Sequence, residues 1–454
     1  MLARRRRRRV LAAVTFVVAA ELDLSAAVLA ARGPDDRYFC LEQPERNSFC
    51  LATLGQAAVV APRGEDRFTR AAHECRALAG DAIVGEPAHD PLVPEGAGPV
   101  WVGGFAFAGD GGQSPEWSGL GPAQLVLPEL ALSRGGDQAR LTVCAVLEGD
   151  EAPAAVTERL ERRIASLAPA AMPLVDPHPT AAAHVAGAAP PEHYEQAVAA
   201  AVERIAAGEL RKIVLAREVR VHGPQPFDPA ALLDGLRARF GGCFCYCVGT
   251  PEAAFVGASP ELLVRRAGAR ASSVALAGTS GRSADPTVDA HLGEQLQRSA
   301  KNREEQAIVA ARIERGLSPV SVWVSRPPEP VLVKLSNVQH LATPIRTQLA
   351  EPVSLLELAG LLHPTPAVGG EPWERARPLI PALEGLDRGW YAGPVGWMDL
   401  AEDGELCVAL RGALLRDRVA HLYAGGGVLR DSVPADELAE TEVKLQALLA
   451  LLAP

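Results

Sequence analysis

Strand-like runs occur in groups along this chain of 454 residues, and helical segments separate the groups. Runs rich in β-branched and aromatic residues are typical of strands, and examples are Trp101–Phe107, Lys212–Val219 and Glu405–Leu415. A regular alternation of strand and helix would indicate parallel βαβ winding, whereas this grouping favours an α+β fold with large antiparallel sheets. Helical periodicity predicts one helix over residues 288–315, ended by Gly316, and a last helix over Pro434–Leu452.

The N-terminus combines Arg4–Arg9, six consecutive arginines, with the apolar stretch Val10–Ala20. This pair resembles the first two regions of a signal peptide, and it is too short for a membrane span. The alternative is a β-strand over Val14–Val18 behind a disordered basic tail, residues 1–9. We favour the strand, because the rest of the chain has the pattern of a cytoplasmic enzyme without stable membrane association.

Composition excludes several classes of protein. The net charge of −10 gives no support to a nucleic-acid-binding surface. The eight cysteines form no Cys-x-x-Cys pair, which argues against a zinc site. Cys243, Cys245 and Cys247 alternate, so a strand would place all three on one face, as buried small side chains. Residues 168–192 are rich in Pro and Ala without apolar periodicity, which suits a linker or a surface loop.

Two predicted helices carry polar side chains on one face. Asn302 and Glu305 are three residues apart, and Glu437, Glu440 and Lys444 share a face of the last helix. Carboxylates from two distant helices could meet around Mg²⁺, which takes a few carboxylate oxygens and keeps waters or substrate oxygens as its other ligands. The spacing alone favours two solvated helix faces over a metal site.

Other candidate residues are ambiguous when each is taken alone. Arg411 in an apolar strand suits either a substrate carboxylate or a structural ion pair. The glycines of Ala424-Gly-Gly-Gly and Gly278-Thr-Ser-Gly could bind an anion or form tight turns. His340 could be a core histidine. Lys212 at the start of an apolar strand would be solvated, or, in a partly dry site, would have a lowered pKa and serve as a base.

Taken together, nine segments over residues 190–454 resemble the chorismate-utilising enzymes in order and spacing. This family includes anthranilate, aminodeoxychorismate, isochorismate and salicylate synthases. The segments are Lys212-Ile-Val-Leu-Ala-Arg, Gly257-Ala-Ser-Pro-Glu-Leu-Leu, Leu276-Ala-Gly-Thr, Ala300-Lys-Asn-Arg-Glu-Glu-Gln, Val338-Gln-His-Leu-Ala-Thr-Pro, Arg388-Gly-Trp-Tyr-Ala-Gly-Pro-Val-Gly, Val408-Ala-Leu-Arg, Tyr423-Ala-Gly-Gly-Gly and Glu440-Thr-Glu-Val-Lys.

The resemblance implies a single catalytic domain over residues 10–454. It has two large antiparallel β-sheets packed together, helices outside, and the active site between the sheets. By resemblance, Glu305 and Glu440 are direct Mg²⁺ ligands, and Glu437 acts mostly through water. The residues expected to bind the substrate, chorismate, are Gly278, Thr279, His340, Tyr391, Arg411, Gly425, Gly427 and Lys444.

Two positions distinguish the reactions of the family. Anthranilate synthases usually have Gln where this chain has Lys212, and aminodeoxychorismate synthases usually have a nucleophilic Lys in place of Ala277. The pattern here implies the water-adding branch, which converts chorismate to isochorismate. Lys212 would be the general base toward water attacking C2, and Glu261 the general acid toward the C4 hydroxyl.

Several alternatives remain open at this point. A salicylate synthase shares these residues and then eliminates pyruvate, and the sequence does not choose between a menaquinone and a siderophore pathway. We expect a cytoplasmic monomer with no glutamine amidotransferase subunit. Asn302 stands where an acid is common and Gln306 where a His is common, so we expect weaker metal binding without loss of activity.

Overall fold

The computed structural model describes residues 9–85, 93–148, 152–176, 181–334 and 338–453. The strands are β1 (Arg9–Val18), β2 (Tyr38–Gln43), β3 (Phe49–Leu54), β4 (Ala58–Val60), β5 (Ile83–Val84), β6 (Val100–Phe105), β7 (Ala123–Leu127), β8 (Leu130–Gly135), β9 (Gln138–Glu148), β10 (His184–Gly187), β11 (Lys212–His222), β12 (Phe244–Gly249), β13 (Ala254–Ser259), β14 (Leu262–Ala267), β15 (Arg270–Gly281), β16 (Ser321–Ser325), β17 (Val331–Lys334), β18 (Val338–Leu349), β19 (Gly370–Glu371), β20 (Pro394–Asp399), β21 (Gly404–Val408), β22 (Gly412–Arg416) and β23 (Val419–Val428).

The helices alternate with groups of these strands. They are α1 (Leu24–Ala31), α2 (Arg67–Ala79), α3 (Pro153–Ser166), α4 (Pro191–Ala206), α5 (Pro229–Arg239), α6 (Pro286–Arg298), α7 (Ala300–Leu317), α8 (Leu355–Leu362), α9 (Trp373–Glu384) and α10 (Pro434–Leu452), with short 3₁₀ turns at Pro115–Trp117 and Ser318–Val320. Within the described ranges, no helix is both long enough and apolar enough to cross a membrane.

The strands form two large sheets. The first has the order β10-β11-β23-β22-β13-β12-β2-β3-β8-β9-β1-β5, with β19 also paired to β11. The second has the order β16-β18-β15-β14-β21-β20-β6-β7-β4, with β17 also paired to β18. Among the described pairings only β1–β5 is parallel, so the α+β class predicted from the grouped strands is confirmed.

A continuous apolar core joins the inner faces of the two sheets. Alternate residues of β12 show how the sequence builds it, since Phe244, Tyr246 and Val248 belong to this core. Cys245 and Cys247 point the other way, into a second core that α1, α5 and α10 cover, and Cys243 just before the strand joins them there. The shared face predicted for the three cysteines is therefore confirmed, and all eight cysteines are buried and free.

At the N-terminus, residues Val14–Val18 lie in β1, which pairs antiparallel with β9. The strand predicted there is present, and it begins at Arg9, the last arginine of the run. The other arginines of the run, Arg4 to Arg8, lie outside the described residues, so the basic tail stays a prediction.

The segment 168–192 lies between two parts of the chain, each of which contributes strands to both sheets. Strands from before it pair with strands from after it, for example β2 with β12 and β6 with β20. The segment includes β10, which pairs with the end of β11. The segment therefore joins two parts of the chain whose strands pair with each other in both sheets.

The helix predicted over residues 288–315 is wrong in one respect, because the chain forms two helices there. Ser299 ends α6 and is also the N-cap of α7, where its side chain accepts a hydrogen bond from Asn302 N. A serine hydroxyl competes well for the unpaired N–H groups of a helix start. The break places Asn302 and Glu305 in the first turns of α7. Gly316 lies within α7, which ends one residue later.

Candidate active site

A cleft between the two sheets brings together most of the predicted site residues. It holds about 800 Å³ of empty space. Strands β15 and β18 of the second sheet, β11 and β23 of the first sheet, and helices α7 and α10 all contribute to its walls. The predicted residues that line it are Glu261, Gly278, Thr279, Glu305, His340, Tyr391, Arg411, Gly425, Gly427, Glu440 and Lys444.

The strand predicted over Glu405–Leu415 is wrong, and the error concerns Arg411. The chain forms β21 in the second sheet and β22 in the first sheet, and Arg411 lies in the link between them. Its backbone has φ of 48°, which is uncommon for a residue with a side chain. The crossing from one sheet to the other places the guanidinium at the cleft between them.

Arg411 and His340 form one unit of the cleft wall. Arg411 Nη2 lies 2.8 Å from His340 Nε2. Because a guanidinium only donates, Nε2 accepts, so the neutral ring carries its proton on Nδ1. That proton is donated to Gly278 O, 3.3 Å away. Burial, reinforced by Arg411, lowers the pKa of His340 to about 3. His340 is thus a neutral acceptor that orients Arg411.

One side of the Arg411 guanidinium remains available. Its Nη1 is buried and has no hydrogen-bond partner among the described residues. A buried donor without a partner is costly, and a carboxylate, which accepts the fork of a guanidinium, would satisfy it. The geometry therefore favours the substrate-binding interpretation of Arg411 over a structural ion pair.

Gly278 shapes the wall next to His340. It lies at a break in the register between β15 and β18, and its φ of 74° favours glycine. A Cβ at this position would lie 3.1 Å from Asn302 Cβ, so α7 packs directly on the bulge. The bulge presents Thr279 beside His340, with 3.2 Å between Thr279 Oγ1 and His340 Nδ1.

Lys212 is fully buried at the start of β11. Its Nζ lies 2.9 Å from Glu305 Oε1, although this contact does not have the angles of a hydrogen bond. A Cβ at Gly427 would overlap Glu305 Oε1 and lie 3.0 Å from Lys212 Cε. The absence of a side chain at Gly427 therefore leaves room for the lysine of β11 and the glutamate of α7 to meet as they do.

Glu261 is a buried carboxyl whose side chain faces the cleft. Burial raises its pKa to about 8, against the opposing effect of the positive charges of Lys212 and Lys444. The carboxyl is therefore mostly protonated at neutral pH. A buried acid that keeps its proton at pH 7 has the property required of a general acid.

Each of the three predicted metal-binding glutamates is paired with a lysine. Besides the Lys212–Glu305 contact, Lys301 Nζ lies 2.9 Å from Glu437 Oε1, and Lys444 Nζ lies 2.7 Å from Glu440 Oε1. Burial acts to raise the pKa of Glu440, but Lys444, with Lys301 and Lys212, holds it below its usual value.

Glu437 differs from the other two glutamates in its position. It is buried behind the glycines of β23, where a Cβ at Gly426 would lie 3.0 Å from Glu437 Oε2, and it does not line the cleft. Over the part of the chain that is described, no three acidic, His or Cys side chains form a ready-made metal cluster.

The two departures from the family pattern have structural partners. Gln306 is buried and donates to Ala275 O of β15 and to Thr343 Oγ1 of β18, each at 2.9 Å. It therefore ties α7 to the strands that form the cleft wall. Asn302 Nδ2 donates to Ser299 Oγ at 2.9 Å. Neither side chain lines the cleft.

The structure adds cleft residues to which sequence reasoning assigned no role. Arg388, Ala367, Val368 and Tyr423 line the cleft beside the predicted set. Arg388 and Tyr423 each open one of the segments that carried the family resemblance, and this was the signal that could have revealed them. Tyr423 stacks on Tyr391 with ring centroids 5.4 Å apart.

Comparison with known proteins identifies the family of this chain. The profile of the family described as "Chorismate binding enzyme" matches residues 2–453. The chain is 38% identical over 421 residues to the salicylate biosynthesis isochorismate synthase of Pseudomonas aeruginosa, covering 91% of this chain and 85% of that protein. It is 34% identical to isochorismate synthase MenF of Bacillus subtilis over 367 residues, which are 80% of this chain and 76% of that protein.

Solved structures show the same fold. The menaquinone-specific isochorismate synthase MenF of Escherichia coli matches with a TM-score of 0.81 and 28% identity. The match covers 97% of this chain and 94% of that chain. The predicted architecture of two large antiparallel sheets with helices is thus confirmed in this chain, and the relative shares its fold.

Proposed function

Because this chain belongs to the chorismate-binding enzymes, we propose that it is an isochorismate synthase, an isomerase that moves a hydroxyl group around the ring of chorismate. The named relatives at 38% and 34% identity support this activity. The observation that carries the proposal is the buried, protonated carboxyl of Glu261 in the cleft wall, with the fully buried Lys212 close behind the residues that line the cleft. Lys212 and Glu261 are close enough for the lysine to affect the pKa of the carboxyl.

The proposed reaction exchanges one water for another. Lys212 takes a proton from a water molecule as its oxygen bonds to C2 of the ring. The double bonds shift, the bond from C4 to its hydroxyl breaks, and Glu261 gives its proton to the leaving hydroxyl. Water enters and water leaves, so atoms and charges balance. One base and one acid are what such a displacement requires.

The substrate would be held through its two carboxylates and its ring. Arg411 would bind the carboxylate of the pyruvyl side chain through the otherwise unpartnered Nη1. Tyr391 and the backbone of Gly425 and Gly427 would contact the same side chain. Lys444, which donates to Gly425 O at 2.7 Å, fixes that backbone. Gly278, Thr279 and His340 would line the ring.

We propose that Mg²⁺ binds at Glu305 and Glu440, with Glu437 acting mostly through water. The donor set fits, since Mg²⁺ takes one or two protein carboxylates and completes its shell with water and substrate oxygens. Both glutamates line the cleft from facing helices, α7 and α10. When bound, the ion would supply the positive charge that holds the ring carboxylate.

The relative from Pseudomonas aeruginosa takes its name from salicylate biosynthesis, so a second candidate is a salicylate synthase, which eliminates pyruvate after forming isochorismate. Incubation with chorismate and Mg²⁺, followed by product NMR, separates the two. We expect isochorismate with little pyruvate, and no anthranilate when ammonia is supplied. Stoichiometric pyruvate with fluorescent salicylate would transfer the assignment to the second candidate. Unchanged chorismate would refute both.

A further inference from the structure

A buried ion pair lies directly behind the start of the strand that carries Lys212. Arg388 and Glu384 are 4% and 7% exposed. Arg388 Nε lies 3.0 Å from Glu384 Oε2, and Arg388 Nη2 donates to the other carboxylate oxygen. No step of the proposed reaction uses either residue, so the pair needs an explanation of its own.

The pair fills a gap at one edge of β11. This edge pairs with β19 at Lys212 and Ile213 and with β10 at 219–222. Between these stretches, Val214 O accepts from Arg388 Nη2 at 2.9 Å, and Ala216 N donates to Glu384 Oε1 at 2.7 Å. Two side chains thus replace the missing strand for the backbone that follows Lys212.

The same guanidinium reaches a second wall of the cleft. Arg388 Nη1 donates to Val368 O at 2.7 Å, and Val368 lines the cleft. The adjacent backbone also holds β11, because Val214 N donates to Gly369 O at 2.7 Å. The ring of Phe107 covers the guanidinium from the other side at 4.3 Å. Arg388 therefore joins β11, the 367–369 segment and the end of α9.

From this arrangement we infer that Arg388, oriented by Glu384, is a positioning residue for Lys212, which sets the place of the base relative to Glu305 and the substrate. The inference rests on the proposed function. Its physical basis is that the base must meet the attacking water within a fraction of an ångström, and a displacement of about 1 Å can cost about 10²-fold in rate. Arg411 and Lys444 lie on other elements and make their hydrogen bonds to His340 and Gly425, so we expect them to keep their places without Arg388.

Arg388→Met, Arg388→Lys and the double variant Glu384→Gln/Arg388→Met test the inference. The double variant leaves no unpaired buried charge, so it remains informative if Arg388→Met does not fold. We expect kcat to fall about 10²-fold in both methionine variants, with chorismate affinity by calorimetry unchanged, and partial recovery in Arg388→Lys. Retained kcat, or affinity that falls as much as kcat, would overturn the inference.

Arg266→Met is the matched control. Arg266 is 8% exposed, donates to Ala401 O at 2.9 Å, pairs with Asp403 and does not line the cleft. The Arg266→Met variant should have a lower melting temperature and an unchanged kcat. If its kcat fell as much as that of Arg388→Met, Arg388 would be a stabilising residue only.

Hydrogen exchange measured by mass spectrometry gives a readout independent of the reaction. The amides of 212–217 should exchange faster in the Arg388 variants only, even if the wild type formed no isochorismate. Unchanged exchange there would overturn the inference on its own.

Discussion

Glu261→Gln tests the assignment of the acid most directly. A carboxyl with the ordinary pKa of about 4.5 would be protonated in about 0.3% of molecules at pH 7, whereas a pKa of about 8 keeps about 90% protonated. Burial thus increases the acid form about 300-fold. Glutamine keeps the shape of the side chain but cannot give up a proton in this way. We expect kcat to fall about 10²–10⁴-fold, the usual contribution of a positioned acid, with little change in chorismate affinity.

The assay is kcat/KM for isochorismate formation between pH 6 and pH 10, because this quantity reports the pKa values of the free enzyme. Glu261 acts in its protonated form, so its titration should make the wild-type rate decline as pH rises through about 8, whereas deprotonation of the base Lys212 would add a rising limb to the profile. Glu261→Asp, which keeps an acid, should retain part of the activity and the decline. A Glu261→Gln variant with more than about a tenth of wild-type kcat would refute the assignment.

The same substitution predicts a change in stability with a definite sign. Between the unfolded pKa of about 4.5 and the folded pKa of about 8, the folded protein binds the proton more tightly than the unfolded chain. The free energy of unfolding therefore decreases as pH rises through this window, by at most about 5 kcal/mol. Glu261→Gln removes this loss, so its melting temperature should exceed that of the wild type more at pH 8 than at pH 5. An equal difference at both pH values would contradict the raised pKa.

Three further predictions concern the base and the metal. Lys212→Ala should lower kcat about 10²–10⁴-fold while calorimetry shows nearly unchanged chorismate binding, and a parallel loss of affinity would make Lys212 a binding residue. Glu305→Gln or Glu440→Gln should abolish turnover and weaken Mg²⁺ binding measured by calorimetry, whereas undiminished activity in EDTA would exclude a metal role. Asn302→Asp should lower the Mg²⁺ concentration that gives half-maximal activity, since it adds a negative charge one turn before Glu305, and no change would place residue 302 outside the influence of the metal.

Local patterns predicted the elements of this fold well where one period or one stop signal decides the outcome. The alternation around Cys245 and the last helix over 434–452 are examples. The errors occurred where tertiary structure overrides a continuous apolar run. The stretch 405–415 gives no local sign that it leaves one sheet for the other, because both halves are buried and apolar. Only the pairing of β21 with β20 and of β22 with β13 separates them.

The ion pairs of the site also depend on tertiary structure that the sequence does not reveal. Spacing along the helices predicted that Glu305, Glu437 and Glu440 could meet and placed Lys444 on the face of Glu440, but it could not predict the lysine partners of Glu305 and Glu437. Lys212 and Lys301 come from segments far from the glutamates they contact, while Lys444 is one turn from Glu440. Glu305 and Glu440, which line the cleft, are each paired with a lysine, and Arg411 adds a positive charge to the cleft wall, so the cleft is not a strongly anionic trap for cations. The proposed divalent cation would compete with these lysines for the carboxylates, and a substrate with two carboxylates would compensate the charge that the cation adds. If the proposed Mg²⁺ binds here, these charges favour its entry together with the anionic substrate over entry of the cation alone.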